Sequence, residues 1–298
     1  MSVLSWTWRA CPRRTGRSIK GARCVVEPWK GPETLQPRAI GPSEAVRIIC
    51  RATPLLAILL ICFPSLLILR LPERLLAGQR RPVTPYLTQL VCIVACWSLN
   101  LKRSVKGTPM RTPGAFVCNH VSWLDIFVLN ANKRMYFVAK SEVSGWGGIG
   151  WLARATGTVF IRRQRAEAAV QTRLFEDRLI AGHQLLFFPE GTSTDGERVL
   201  PFKTTLFQAF FAERLRDRVS IQPVTLSYTA PQGADRRHYG WWGDMDFGPS
   251  LLQILATPGR GDVQVQYHAP LPVAHADNRK ALAKAAEDAV RAGFEAAR

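Results

Sequence analysis

Hydrophobic residues are concentrated in two long runs in the first third of the chain. The runs cover residues 54–69 and 87–101, and Pro64 interrupts the first of them. Each run is shorter than the roughly 20 residues that a helix needs to cross a bilayer. Basic residues flank both runs on both sides, so the positive-inside rule identifies no translocated loop. The pattern predicts a membrane-associated helical pair over 45–106 that lies in one leaflet; a soluble hairpin and a spanning first helix are the alternatives.

From residue 107 onward, short apolar strands alternate with helices, which predicts an α/β domain over 107–298. The candidate strands are 115–118, 135–138, 157–161, 185–188, 221–227 and 263–267, and the candidate helices are 123–131, 166–181, 203–216 and 277–297. The glycine-rich stretch 145–150 matches no nucleotide-binding loop, so we expect a turn or a loop at the membrane edge there.

The first 44 residues have a different character. They are rich in Arg, Lys, Pro and Gly and show neither helical nor strand periodicity. This composition predicts a disordered basic tail that can lie on an anionic membrane. The first residues of the chain lack the apolar core of a signal peptide.

The charge of the chain favours an anionic partner. A net charge of +18 and a pI near 10.3 suit lipid headgroups, nucleic acid or a phosphorylated substrate. No zinc-finger, helix-turn-helix or RNA-binding motif is present, so we expect no nucleic-acid partner. The seven cysteines are odd in number and lie mostly in apolar stretches, which favours buried thiols in a reducing compartment. Their spacing predicts no metal site.

The strongest candidate chemistry follows the strand at 115–118. The strand ends at His120, and Ser122 to Asp125 match a capping box that opens the next helix. The intervening turn allows the Asp125 carboxylate to fold back onto one nitrogen of the His120 imidazole. The other ring nitrogen would then face outward as a base. A capping carboxylate beside an ordinary loop histidine is the alternative.

Three other positions carry candidate chemistry. Residues 157–163 form a predicted strand that ends in Arg162 and Arg163, one of which can face a cleft and bind phosphate through two hydrogen bonds. Glu190 follows a buried strand, at the edge where open α/β sheets bind ligands. Lys203 is a phosphate contact or an ordinary surface lysine.

Taken together, these blocks resemble the glycerolipid acyltransferases, the 1-acyl-glycerol-3-phosphate acyltransferase group. Residues 119–125 look like the family block N-H-x-S-x-x-D, residues 157–163 look like G-x-x-F-I-x-R with Arg163 as its arginine, and residues 188–192 look like F-P-E-G-T. The order and spacing agree over roughly residues 50–230. Ser193 and the pair Thr204-Thr205 depart from the common pattern near the presumed acceptor site, which leaves the acceptor open.

The resemblance implies a fold in which a mixed sheet flanked by helices follows the apolar helical pair. It implies acyl transfer from acyl-CoA or acyl-carrier protein, without a further cofactor, to the hydroxyl of a lysolipid. The first choice of acceptor is 1-acyl-glycerol-3-phosphate, giving phosphatidic acid, and lyso-ornithine lipid is the alternative because residues 241–247 are similar to bacterial members with either acceptor.

The resemblance also implies roles for individual residues. The catalytic pair would be His120 and Asp125, and the substrate-binding residues would be Arg163, Glu190, Gly191, Thr192 and Lys203. The catalytic domain would lie on the cytoplasmic side of the inner membrane, among membrane lipids. Two rival hypotheses remain: a His–Asp hydrolase of lipid esters or thioesters, and a non-enzymatic basic protein that binds membranes.

Overall fold

The computed structural model describes residues 29–36, 39–161 and 168–298. The first helix, α1, runs from Pro42 to Ala77, and α2 runs from Thr84 to Ser98. The remaining helices are α3 (Leu124–Asn132), α4 (Gly147–Thr156), α5 (Ala168–Ile180), α6 (Glu213–Arg216), α7 (Phe247–Ala256) and α8 (Arg279–Ala296). The strands are β1 (Leu101–Lys106), β2 (Gly114–Cys118), β3 (Tyr136–Lys140), β4 (Val159–Ile161), β5 (Gln184–Phe187), β6 (Ser220–Thr229), β7 (Gly261–Tyr267) and β8 (Leu271–Pro272).

The described strands form one mixed sheet in the order β1-β7-β6-β2-β5-β3-β4, with β8 paired to β6. Strands β6, β2, β5, β3 and β4 run parallel to one another, whereas β7 and β8 are antiparallel to β6. All five residues of β2 are buried, so this strand lies in the middle of the molecule. Parallel strands collect their carboxyl ends at one edge of a sheet, and β2 and β5 therefore deliver the loops that follow them to the same place.

Two apolar clusters cover the two faces of the sheet. On one face the sheet packs against side chains of α5, α8 and a short 3₁₀ helix, Leu206–Phe211. On the other face it packs against α2, α3 and α7, and α1 lies outside α2 and α7. The predicted architecture, an apolar helical pair followed by a mixed sheet flanked by helices, is confirmed.

Helix α1 is much longer than the apolar run that predicted it. Pro54, Pro64 and Pro72 all lie inside it, so Pro64 does not end the helix. The basic residues before the run are part of the helix because they have partners on α7: Arg47 donates to the carbonyl of Ala256, and Arg51 donates to the carbonyl of Leu255 at 3.1 Å. In the described part of the chain, α1 alone is long and apolar enough to cross a membrane. Its composition and its exposed apolar side chains support association with a membrane.

Several elements differ from the sequence prediction. Residues 203–216 do not form one helix: a 3₁₀ helix inserts Phe207 and Phe210, three residues apart on one face, into the core, and extended backbone at Ala212 separates it from α6. The glycine-rich stretch enters α4 instead of forming a loop, because Gly150 packs directly on the backbone of Ser144, where a Cβ atom would lie 2.3 Å from the carbonyl oxygen. Strand β1 and helix α7 were not predicted.

The N-terminal prediction also needs correction. Residues 29–36, which the sequence assigned to a disordered tail, lie against the α/β domain, and α1 begins within the stretch assigned to that tail. The first 28 residues lie outside the described part of the chain. The described cysteines are free thiols: Cys62, Cys92, Cys96 and Cys118 are buried, as predicted, whereas Cys50 is exposed.

Candidate active site

The site begins where β2 leaves the sheet. Asn119 follows the last residue of β2. Its side chain forms the two hydrogen bonds to β6 that backbone groups would form if the strand continued. Its Nδ2 donates to the carbonyl of Leu226 at 2.9 Å, and its Oδ1 accepts from the amide of Leu226 at 2.8 Å. Asn119 is 1% exposed, so both bonds are protected from water. This double contact fixes the point at which the chain turns and presents His120.

The structure brings His120 and Asp125 together as the turn predicted. The Nδ1 of His120 lies 2.7 Å from the Oδ2 of Asp125. The same oxygen accepts from the backbone amides of Val121 at 2.8 Å and Ser122 at 3.0 Å, and the carboxylate is fully buried. An ionised carboxylate only accepts hydrogen bonds, so Nδ1 carries the proton and Nε2 keeps its lone pair. The His120 side chain is 19% exposed, and Nε2 can therefore act as a base toward a bound hydroxyl.

Ser122 has a capping role, although not in the predicted register. Its Oγ accepts from the amide of Leu124 at 3.3 Å, while the Asp125 carboxylate accepts from the amide of Ser122. Helix α3 begins at Leu124, one residue later than predicted. The Ser122 side chain is fully buried, so the geometry gives no support for Ser122 as a nucleophile.

Tyr228 belongs to the site and was missed by the sequence analysis. It lies on β6, and its hydroxyl donates to the Oδ1 of Asp125 at 2.8 Å. Burial, together with the adjacent Asp125 charge, raises the pKa of Tyr228 well above its ordinary value, so the phenol stays neutral and remains a donor. No motif or short spacing links residues 103 positions apart. Only the parallel pairing of β2 with β6 brings them together.

The loop after β5 packs against the turn that contains His120. The ring of Phe188 stacks on the His120 imidazole, with centroids 3.9 Å apart and planes 10° apart. The backbone carbonyl of His120 accepts from the amide of Thr194 at 3.0 Å and from its hydroxyl at 3.1 Å. Ring stacking on one side and the carboxylate at Nδ1 leave Nε2 as the accessible edge of the imidazole.

Glu190 is buried rather than open to a ligand. It is 1% exposed, and its two oxygens accept from the amides of His120 at 3.0 Å and Leu200 at 3.2 Å. Burial raises the pKa of Glu190 to about 8, against the lowering effect of these two hydrogen bonds. Its geometry favours positioning of the His120 turn over the predicted contact with substrate.

The other predicted binding residues lie on or beside the same loop. Gly191 has a φ of 74°, a left-handed conformation that suits glycine, and its amide donates to the carbonyl of Phe188 at 3.1 Å. The Thr192 hydroxyl is half-buried and donates to its neighbour's carbonyl at 3.3 Å. Lys203 is exposed, and its backbone amide donates to Pro189 at 2.9 Å, which brings it next to the Glu190 turn. Arg163 lies outside the described residues, and its predicted role stays a prediction.

Some of the backbone amides that could stabilise an oxyanion already donate to other groups in the protein. Backbone amides in the 119–120 turn and at 191–192 are the natural candidates for stabilising a tetrahedral oxyanion. The amide of His120 already donates to Glu190, and the amide of Gly191 already donates to Phe188.

Among the described His, Cys, Asp and Glu side chains, no group of three or more is placed to hold a metal ion.

Comparison with known proteins identifies the family. The model of the family described as Acyltransferase matches residues 102–227, which include His120, Asp125, Glu190 and Lys203. The lyso-ornithine lipid O-acyltransferase of Rhodobacter capsulatus is 51% identical over 266 residues, which cover 89% of this chain and 96% of that protein. The 1-acyl-sn-glycerol-3-phosphate acyltransferase of Neisseria gonorrhoeae is 31% identical, covering 63% of this chain and 72% of the relative.

A solved structure shares the fold. The crystal structure of the 1-acyl-sn-glycerophosphate acyltransferase from Thermotoga maritima superposes with a TM-score of 0.56 at 20% identity, covering 85% of this chain and 95% of that one. The chain belongs to the acyltransferase family, and the protein is an enzyme that transfers acyl groups. The predicted family is confirmed, and the non-enzymatic alternative is excluded.

Proposed function

We propose that the protein transfers a fatty acyl group to the hydroxyl of lyso-ornithine lipid. The observation that carries this choice of acceptor is the 51% identity to the Rhodobacter capsulatus enzyme along 89% of the chain. The first choice made from the sequence, 1-acyl-glycerol-3-phosphate, is the second candidate, supported by the 31% identity to the Neisseria enzyme. Both acceptors present a hydroxyl on a lipid with an anionic group, which suits a chain with a net charge of +18.

The mechanism that we propose uses His120 as a general base. Its Nε2 removes the proton of the acceptor hydroxyl while the oxygen attacks the thioester carbonyl of acyl-CoA or acyl-carrier protein. The carbon–sulfur bond then breaks, and the imidazolium returns its proton to the departing thiolate. Asp125, held by Val121, Ser122 and Tyr228, keeps the ring oriented and stabilises the positive charge that forms on it.

The exposed apolar surface supports a working position at the bilayer. We propose that α1 and α2 hold the enzyme on the cytoplasmic side of the inner membrane, where the lysolipid reaches His120 laterally. The exposed apolar residues of these helices include Leu60 (75% exposed), Leu76 (88%) and Trp97 (70%). Basic side chains at both ends of α1 and in the 78–83 turn suit a surface of anionic lipid.

The test compares wild type with His120→Ala in nanodiscs. Each protein receives acyl-CoA or acyl-carrier protein with lyso-ornithine lipid, and separately with 1-acyl-glycerol-3-phosphate, and products are read by mass spectrometry. We expect lyso-ornithine lipid to have the higher kcat/KM and His120→Ala to lose at least about a hundredfold in rate, as for a missing general base. His275→Ala is the matched control because His275 is exposed on a distant 3₁₀ helix.

Any other result of this assay would change the proposed function in a specific way. Faster acylation of 1-acyl-glycerol-3-phosphate would reverse the choice of acceptor. Release of free fatty acid without transfer would favour the hydrolase hypothesis. A His120→Ala variant as active as wild type would remove His120 from the mechanism.

A further inference from the structure

Residues 29–36, here called the N-terminal strap, lie across two segments that flank the His120 turn. The amide of Trp29 donates to the Thr192 hydroxyl at 3.4 Å, and the Arg198 guanidinium lies over the Trp29 ring, 5.2 Å from its centroid. The carbonyl of Pro32 accepts from the indole nitrogen of Trp242 at 2.9 Å. The carbonyl of Glu33 accepts from Arg237 at 3.2 Å. The strap therefore connects residues 192–198 to residues 237–242.

Both of these segments form hydrogen bonds to the turn that contains His120 and Val121. Thr194 donates to the carbonyl of His120, as described above. The amide of Trp241 donates to the carbonyl of Val121 at 3.0 Å and to that of Thr194 at 3.2 Å. A Cβ atom on Gly196 would lie 3.0 Å from the Val121 side chain, so this part of the loop touches the turn as well. One layer of residues separates the strap from the catalytic pair.

The contacts of the strap are specific to its sequence. Trp242 is 2% exposed, and without the carbonyl of Pro32 its indole N–H would lose its hydrogen-bond acceptor at a buried position, which is costly. The Trp29 ring folds back over Gly31, where a Cβ atom would lie 2.3 Å from a ring carbon. Arg198 is fixed for its contact with the ring, because Asp195 accepts from its Nη2 at 3.1 Å. A basic tail with no partner would need none of these features.

We propose that the N-terminal strap is a working part of the acceptor site. It braces the loop that bears Thr192 against residues 237–242 and thereby sets the affinity of the enzyme for its lysolipid acceptor. The inference rests on the proposed function in one respect, that a lysolipid is the acceptor. Trp29 acts through Thr192 and Arg198, so it is a positioning residue.

The sharpest variant is Gly31→Ala, whose new methyl group displaces the Trp29 ring. Gly248→Ala is the matched control, because a Cβ atom at Gly248 meets open space. We expect Gly31→Ala to raise the KM for the lysolipid by about tenfold, the scale of a lost cation–π contact and hydrogen bond. The KM for the acyl donor should stay at the wild-type value, as should both constants in Gly248→Ala. Trp29→Ala removes the ring but keeps the backbone amide that donates to Thr192, so it should raise the acceptor KM in the same direction by a smaller factor. Trp29→Phe, which keeps an aromatic ring under Arg198, should recover most of the affinity.

A second measurement is independent of which lysolipid is used. Hydrogen exchange of the amides in residues 190–200 should be faster in Gly31→Ala and Trp29→Ala than in wild type. A chain that lacks residues 1–28 keeps the strap and should behave as wild type, whereas a chain that lacks residues 1–36 should match Gly31→Ala. If the chain that lacks residues 1–36 does not fold, the comparison of Gly31→Ala and Trp29→Ala with wild type still tests the proposal.

Two results would overturn the proposal. One is an unchanged acceptor KM in Gly31→Ala and Trp29→Ala, and the other is unchanged exchange in residues 190–200. If lyso-ornithine lipid is not acylated, the same comparison is made with the lysolipid that is. A wrong choice of acceptor can thereby be distinguished from the absence of any effect of the N-terminal strap on acceptor binding.

Discussion

At the scale of single residues, Asp125 organises the site. One of its oxygens accepts from His120, Val121 and Ser122, and the other accepts from Tyr228. A buried carboxylate with four donors cannot rotate without leaving polar groups unpaired, which would cost free energy. The imidazole is therefore held in one tautomer and one orientation before substrate arrives.

Tyr228→Phe tests this network. Removing the hydroxyl takes one hydrogen-bond donor from the buried Asp125 carboxylate, so the imidazole of His120 is held less firmly in its orientation. We expect kcat to fall by about tenfold, the effect of one hydrogen bond to a charged group. The acceptor KM should stay unchanged, because the Tyr228 hydroxyl donates to Asp125 and makes no contact with the acceptor in this proposal. Tyr267→Phe is the control, because the buried Tyr267 hydroxyl has no hydrogen-bond partner among the described residues. Equal kcat values for wild type and Tyr228→Phe would contradict this role.

Glu190 gives a prediction about pH and stability. Burial raises its pKa to about 8 in the folded protein, from an ordinary value of 4.5. Between these two pH values the folded state binds more protons than the unfolded state, so the free energy of unfolding falls as pH rises through this window. The slope from this one group is at most about 1.4 kcal/mol per pH unit.

Glu190→Gln should remove this contribution. Thermal or chemical unfolding from pH 5 to pH 8.5 should therefore show a flatter profile for the variant than for wild type. Glu142→Gln, which changes an exposed carboxylate, is the control and should keep the wild-type slope. Identical slopes for Glu190→Gln and wild type would show that Glu190 is ionised throughout the range.

At the scale of elements, the junction of β2 with β6 decides where His120 lies. Asn119→Ala would leave the buried amide and carbonyl of Leu226 without their side-chain partners. We expect a loss of about 2–4 kcal/mol in the free energy of unfolding, the scale of two unpaired buried groups. Denaturant unfolding measures this loss, and kcat should fall with it because the turn is no longer fixed. A variant as stable as wild type would mean that water replaces the side chain at no cost.

At the scale of the whole molecule, the exposed apolar residues lie on helices that pack together. Helices α1, α2 and α4 contact one another, and they carry exposed residues such as Leu60, Leu75, Trp97 and Trp151. A surface of this kind on a protein with a large positive charge is typical of membrane binding. In the proposed function, the same surface places the enzyme where it takes its acceptor from the bilayer.

Leu60→Glu tests this surface. A charge placed in the apolar region costs about 2.5–3.5 kcal/mol at the centre of a membrane helix, so we expect binding to vesicles that contain anionic lipid to weaken by at least about tenfold. Cosedimentation measures the bound fraction. Val170→Glu is the matched control, because Val170 is 66% exposed on α5, on the opposite face of the sheet from α2 and α3. Equal losses in the two variants would mean that charge alone, rather than this surface, governs binding.

The sequence by itself determined the local features. Apolar strands, the turn at 119–125 and the glycine at 191 follow from short-range patterns, because side-chain burial and φ preferences act within a few residues. The same patterns placed His120 beside Asp125 and identified the family. They failed for residues 203–216, where packing of Phe207 and Phe210 into the core overrides helix propensity.

The tertiary structure alone decided which distant residues complete the site. Tyr228 reaches Asp125 through parallel strand pairing, Glu190 turns inward to the His120 amide, and residues 29–36 lie on the loop that bears Thr192. These contacts join residues between 70 and 163 positions apart. No local pattern encodes them, because they depend on how the whole sheet is assembled.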